Sequence, residues 1–119
     1  MPVFRLETNI PKSKVTPDVL KKISKTVATT LGKPESYVVV NVVPDQLMVW
    51  EGKDAPCGTA TLMSIGRLGV EENKKHAAAL YPLLEKELGI PGNRLYITFL
   101  DQSTSSVGYT GTTFHSILG

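Results

Sequence analysis

The sequence predicts an α/β fold: two tandem β-α-β units forming a four-stranded sheet with two helices on one face. Three observations lead there. Short β-branched runs alternate with two long stretches of helical periodicity. The order strand, helix, strand occurs twice. The turn pattern L-G-x-P closes both helical stretches, as Leu31-Gly32-Lys33-Pro34 and as Leu88-Gly89-Ile90-Pro91.

Residues 2–7 (PVFRLE) read as the first strand, with Pro2 tolerated at its start because the missing N–H costs little there. Asn9-Ile10-Pro11 marks a loop. Thr16 is placed to cap a helix and Pro17 to occupy its first position. Val19, Leu20, Ile23, Val27 and Leu31 then share one helical face. Gly32 ends that helix and Pro34 blocks its continuation. Residues 37–43 (YVVVNVV) read as a second strand and 57–65 (CGTATLMSI) as a third. A second helix is expected over about 70–88, with Leu80, Leu84 and Leu88 four apart. Pro82 sits inside it, so a kink or a break is expected near Ala78 to Pro82. Gly89 and Pro91 end the helix, and residues 95–100 (LYITFL) form the fourth strand. The pseudo-repeats span about 2–50 and 57–105 of a single domain over 1–119, and a tail occupies 106–119.

The chain has 119 residues, 13 basic and 11 acidic, for a net charge of +2. No basic stripe interleaved with aromatics points to nucleic acid. No apolar run is long enough to span a bilayer. Arg5 and Glu7 interrupt the N-terminal segment, so no signal peptide is expected and synthesis in the cytoplasm is. Cys57 is the only cysteine, which rules out an internal disulfide.

In the second strand, Val38, Val40 and Val42 point one way and Val39 and Val43 the other. Such a strand wants both faces covered. One protomer's helices cover only one, which argues for an oligomer. The alternative is that residues 101–119 fold across the open face, although their Ser, Thr and Gly content makes a poor lid.

Pro2 is the first candidate functional residue. With Met1 removed it carries the free N-terminus as a secondary amine. An α-amine titrates near pH ~8, and burial or a nearby cation lowers that value. The result is a neutral base near physiological pH, where general-base catalysis works best. The bland reading is an ordinary N-terminus. Lys33 invites two readings as well. It is a cation at a helix C-terminus, favourable with the macrodipole. Yet the corresponding residue of the second half is Ile90, so the turn does not require lysine.

Pro2, Thr8-Asn9-Ile10-Pro11, Leu31-Gly32-Lys33-Pro34, Tyr37, 42–48 (VVPDQLM), Ala55-Pro56-Cys57, Ser64-Ile65-Gly66, Asn73, 94–97 (RLYI), Val107-Gly108-Tyr109 and Thr113-Phe114 occur in this order along nearly the whole chain. This series resembles the macrophage migration inhibitory factor family of the tautomerase superfamily, and less closely its D-dopachrome tautomerase branch. The resemblance implies a homotrimer whose three sheets form a barrel inside a ring of helices. It implies cofactor-independent keto–enol tautomerisation of the phenylpyruvate and L-dopachrome type, with Pro2 as base and Lys33 on the substrate carboxylate. It assigns main-chain contact to Ile65, and substrate walls to Tyr96, Thr98, Val107, Tyr109 and Phe114, some from a neighbouring subunit. Thr98 stands where the family often has asparagine, and Tyr109 where many members have tryptophan, so altered substrate preference is expected.

The resemblance also implies a cytokine-like ligand, secreted without a signal peptide, that meets a cell-surface receptor. A family contact pairs a first-loop arginine with an aspartate. Asp45 is present, but Lys12 supplies the cation without arginine's bidentate fork. A trimer with a vestigial pocket is the third reading. The family's dithiol proposal fails here, because Cys57-Gly58-Thr59-Ala60 lacks the second thiol. His76 and His115 lie far apart with no second cysteine, so no metal site is inferred.

Overall fold

The structure, a computed structural model, describes residues 1–118; Gly119, the last residue of the expected tail, lies outside the described residues. Strand β1 is Val3–Thr8 and helix α1 is Pro17–Leu31. Strands β2 and β3 are Val39–Val43 and Gly58–Ser64, and helix α2 is Val70–Leu88. Strand β4 is Leu95–Asp101. A hairpin of β5 (Gly108–Tyr109) and β6 (Thr112–Thr113) leads into a short helix α3, Phe114–Leu118.

The four long strands form one mixed sheet in the order β2-β1-β3-β4. The pairs β1/β2 and β3/β4 are parallel, as a strand-helix-strand crossover requires, and the two units meet along the antiparallel pair β1/β3. Alternation then sorts the side chains. Phe4 and Leu6 of β1, with Ala60 and Leu62 of β3, point to one face. There they pack against Val19, Ile23, Val27 and Leu31 of α1 and Leu80, Leu84 and Leu88 of α2. Full burial of each large apolar side chain stabilises the fold by about 1.5–3 kcal/mol. Both helices therefore lie on one face, as expected.

The ends of α1 follow local chemistry. The Val19 N–H donates to Thr16 Oγ1 at 3.2 Å, and Pro17 opens the first turn. At the other end Gly32 takes φ 65°, and the Lys33 N–H donates to the Ala28 carbonyl at 3.1 Å. This closure aims the chain, and Lys33 with it, back toward β1 and the turn after β3.

Two expectations are corrected. Tyr37 is not a strand residue. It ends a 3-10 turn, Glu35–Tyr37, and β2 begins two residues later. The Pro34 bend uses these residues before the sheet can, whatever their β-propensity. Nor does Pro82 break α2, which runs unbroken through it. Pro82 and Ala78 are both exposed, so the Ala78 carbonyl, which Pro82 cannot serve, lies on the solvent side of the helix.

The opposite face of the sheet is open in a single chain. Val39 is 53% exposed and Tyr96 67%. The centre of this face is polar: Arg5 and Glu7 form an ion pair at 3.1 Å, beside Thr59, Thr61 and Thr98. The tail does not cover it. Residues 108–118 instead pack by the end of α1, with Phe114 buried against Tyr37 and Tyr109.

Residues 44–57 connect the two units and are tied down from both sides. Asn9 Nδ2 donates to the Asp54 and Ala55 carbonyls, and Asn9 Oδ1 accepts the Cys57 N–H. Arg94 donates to the carbonyls of Trp50, Lys53, Ala55 and Pro56. Among the described residues no helix is long and apolar enough to cross a membrane.

Candidate active site

The N-terminus, the end of α1, the turn after β3 and the C-terminal hairpin meet around a cavity of about 280 Å³. Met1, Lys33, Tyr37, Arg67, Tyr109 and Phe114 line it, with Ile117 and Leu118 at its edge. A larger recess of about 430 Å³ lies between α1 and α2, lined by Lys25, Thr29, Lys75 and their neighbours. It holds none of the candidate residues.

Lys33 Nζ donates to the Ile65 carbonyl across this space. Burial, and then the charge of Arg67, push Lys33 below the usual lysine range, while Asp101 acts the other way. The free amine here belongs to Met1. Burial lowers its pKa below 8.0, and Lys33 lowers it further. Both effects disfavour the ammonium form. Pro2 lies fully buried directly behind it, and its carbonyl accepts the Val39 N–H at 3.0 Å. The first strand thus fixes the N-terminus against β2.

The walls are aromatic. Tyr109 and Phe114 stack with ring centroids 5.1 Å apart. Tyr37 meets Tyr109 edge-on at 5.7 Å and Phe114 at 6.3 Å. Val107 stands behind them, its carbonyl accepting the Phe114 N–H at 3.0 Å.

The turn that carries Ile65 is held from below. The Gly66 N–H donates to Asp101 Oδ1 at 2.9 Å. His76, 1% exposed, bonds through both ring nitrogens. Its Nε2 lies 2.8 Å from the Arg67 carbonyl, which can only accept, so Nε2 carries a proton. In the neutral ring Nδ1 then accepts from the Thr30 hydroxyl at 2.9 Å. His76 so ties α1, α2 and the turn together. Gly66 and Arg67 have successive positive φ values of 73° and 64°, and an arginine in that region is strained.

One chain brings together the N-terminus, Lys33, Ile65, Tyr109 and Phe114, with Val107 adjoining. It does not bring Tyr96 and Thr98 to them. Tyr96 lies on the open sheet face against Trp50, with centroids 4.5 Å apart, and Thr98 lines the polar cleft with Arg5 and Glu7. Lys12 and Asp45 do meet, but through the main chain: the Lys12 N–H donates to Asp45 Oδ2 at 3.3 Å. Sequence reasoning missed Tyr37 and Arg67 as cavity residues. The Tyr37 signal was its place just after Pro34. For Arg67 no local signal exists, since Gly66 alone accounts for a turn.

Fold and site together define a tandem β-α-β protein whose N-terminus opens into a cationic, aromatic-walled cavity. The chain belongs to the macrophage migration inhibitory factor family, whose model matches residues 1–115. It is 48% identical over 114 residues to a macrophage migration inhibitory factor homolog of Trichuris trichiura, covering 96% of this chain and 100% of the relative. It is 39% identical over 114 residues to macrophage migration inhibitory factor of Mus musculus, covering 96% and 99%. Among solved structures, that of the factor from Trichinella spiralis superposes with a TM-score of 0.92 at 42% identity, over 94% of this chain and 99% of that one. The homologue from Prochlorococcus marinus gives a TM-score of 0.89 at 28% identity, over 94% and 98%.

Proposed function

We propose that this chain, once Met1 is removed, is a cofactor-independent keto–enol tautomerase for small aromatic keto acids, of the phenylpyruvate and L-dopachrome type. One observation carries the reading. The N-terminal amine, Lys33 and the Ile65 carbonyl converge on one aromatic-walled cavity, in surroundings that favour a neutral amine.

In this mechanism the Pro2 nitrogen becomes a secondary amine at the cavity. Its lone pair takes a proton from the carbon next to the substrate ketone. The C–H electron pair becomes the new C=C bond, and the carbonyl π pair moves to oxygen. The resulting Pro2 ammonium returns its proton to that oxygen, so keto becomes enol with no net loss of electrons. Lys33 holds the carboxylate, which keeps the reacting carbon near the base. Tyr109, Phe114 and Val107 exclude water on one side.

Tyr96 and Thr98 join this site from a neighbouring copy in a homotrimer. Their exposure on the open sheet face, with Val39 exposed on the same face at the opposite edge strand, supports that assembly. Residues 1–119 act as one tautomerase domain.

The test is turnover of phenylpyruvate by protein whose intact mass shows Met1 removed, beside Pro2→Gly and Lys33→Ala. The expected result is a large loss of kcat/KM in both variants. Equal, slow rates in all three proteins would overturn the reading. Native mass spectrometry checks the trimer, and a monomer active at full rate would refute the shared site.

A second reading, a receptor-binding ligand with weak tautomerase activity, draws on the exposed Lys12–Asp45 contact. It requires Asp45→Ala to weaken binding to receptor-bearing cells while Pro2→Gly leaves it intact.

A further inference from the structure

Lys33 is not the only cation at the cavity. Arg67 lines the same space, and its guanidinium approaches the end of α1 closely: a Cβ on Gly32 would lie 3.4 Å from the terminal nitrogen. Lys33 and Arg67 feel each other's charge. Among the described residues Arg67 makes no side-chain hydrogen bond or ion pair. Two carboxylates lie near it, and neither forms an ion pair with it. Asp101 accepts the Gly66 N–H, and Glu72 folds over Gly69.

The backbone adds an independent observation. Arg67 has φ 64°, a conformation that glycine adopts without strain and arginine does not. Its carbonyl is held there by buried His76. A residue that breaks a local rule and is held in place by a buried network is expected at a functional site. A turn alone would be better served by glycine or asparagine.

We propose that Arg67 determines ligand specificity here, acting with Lys33 as a pair of cations that selects a ligand bearing two negative charges over one bearing a single charge. The chemical class is an aromatic dianion, such as a keto acid with a second acidic group. Lys33, tethered to the Ile65 carbonyl, takes one carboxylate. Arg67, with five donors in a planar fork, takes the other. The assignment of this cavity as the substrate site rests on the proposed tautomerase reading; the charge preference is a property of binding alone.

The experiment uses the full-length protein with Met1 removed, and calorimetric titration at pH 7 with benzoate and the three benzenedicarboxylate isomers. The isomers differ only in the spacing of their carboxylates. At least one should bind about tenfold more tightly than benzoate, the gain of one partly exposed charge-assisted contact. Arg67→Gln should bring that preference to within about twofold and leave benzoate affinity nearly unchanged. The preference should also shrink as salt is raised. Arg67→Gly suits the backbone at this position, so it serves if the glutamine variant folds poorly.

A purely structural arginine, resting on the carbonyls that end α1, would change thermal stability and leave the ratio alone. An unchanged ratio in the variants, or no preference in the wild type, overturns the proposal. Phenylpyruvate turnover is followed in parallel. A preference that depends on Arg67 without turnover would sink the tautomerase reading and leave this one standing. Turnover without the preference would do the reverse.

Discussion

Replacing His76 with alanine tests the idea that one buried ring holds the site turn in place. The ring is 1% exposed and makes two hydrogen bonds, at 2.8 Å to the Arg67 carbonyl and 2.9 Å to Thr30 Oγ1. Alanine leaves both partners unmatched, at about 1–3 kcal/mol for each group that water cannot reach. Water entering the space vacated by the ring offsets part of this, so the expected loss is about 2–5 kcal/mol. That is a large share of the ~5–15 kcal/mol that holds a domain together. The assay is urea unfolding at fixed protomer concentration, since assembly makes stability concentration-dependent. The midpoint should fall with an unchanged m-value. Thr30→Ala supplies a double-mutant cycle. The pair should be non-additive by about 0.5–3 kcal/mol, because each variant removes the same bond. Additive behaviour, or a loss below about 1 kcal/mol, would refute the bridging role. A further signature is kinetic: with the Arg67 carbonyl released, the turn that positions Ile65 and Lys33 loosens, and KM should rise more than kcat falls.

Three other perturbations have defined outcomes. Lys33 is pushed below its ordinary 10.5, so native protein releases this proton at lower pH than unfolded chain does. Unfolded chain then binds more protons over that interval, and stability should increase as pH rises from the lowered value toward 10.5. Denaturant titrations should show this rise in the wild type and not in Lys33→Met, while KM for an anionic substrate rises over the same interval. Arg94→Ala removes the four hydrogen bonds that Arg94 donates to the connecting segment and leaves those from Asn9, so limited proteolysis should cut within residues 50–56 of the variant and spare the wild type. Stability should fall by about 1–3 kcal/mol, the range for charged hydrogen bonds at a partly exposed site. Pro82→Ala restores a donor to the Ala78 carbonyl on an exposed helix face and should stabilise α2 by about 1–3 kcal/mol in thermal unfolding.

The elements legible in the sequence were those whose signals are local. Thr16, Pro17, Gly32 and Pro34 act within a few residues of themselves, and they bound α1 where expected. The core faces followed from periodicity, because Val19, Ile23 and Val27 need only a helix to align them. Tyr37 was misread because β-propensity does not reveal that Pro34 opens a 3-10 turn. The break that Pro82 suggested does not occur, because Pro82 lies on the exposed side of α2, and that is set by Leu80 and Leu84 turning inward. The cavity was half legible. Lys33 stood out against Ile90 by comparison of the two halves. Arg67 could not, since its place depends on His76 reaching across from another element. Tyr96 and Thr98 were site candidates by resemblance alone, and in the single chain they lie on the open sheet face away from the cavity.

The inexact repetition of the two halves has an evolutionary consequence. Both helices end in a left-handed glycine, and both are followed by a proline and a 3-10 turn, Glu35–Tyr37 in one half and Gly92–Arg94 in the other. In the first copy the variable positions, Lys33 and Tyr37, face the cavity. In the second, Ile90 is wholly buried and Arg94 clamps the connection between halves. On the proposed reading the labour is divided: drift at positions 33 and 37 changes what is bound, and drift at 90 and 94 changes whether the chain holds together. A second site cannot be copied into the other half by one substitution, because Ile90→Lys would seal an ammonium into hydrocarbon. The fold can therefore explore new ligands through one half while the other stays under structural constraint.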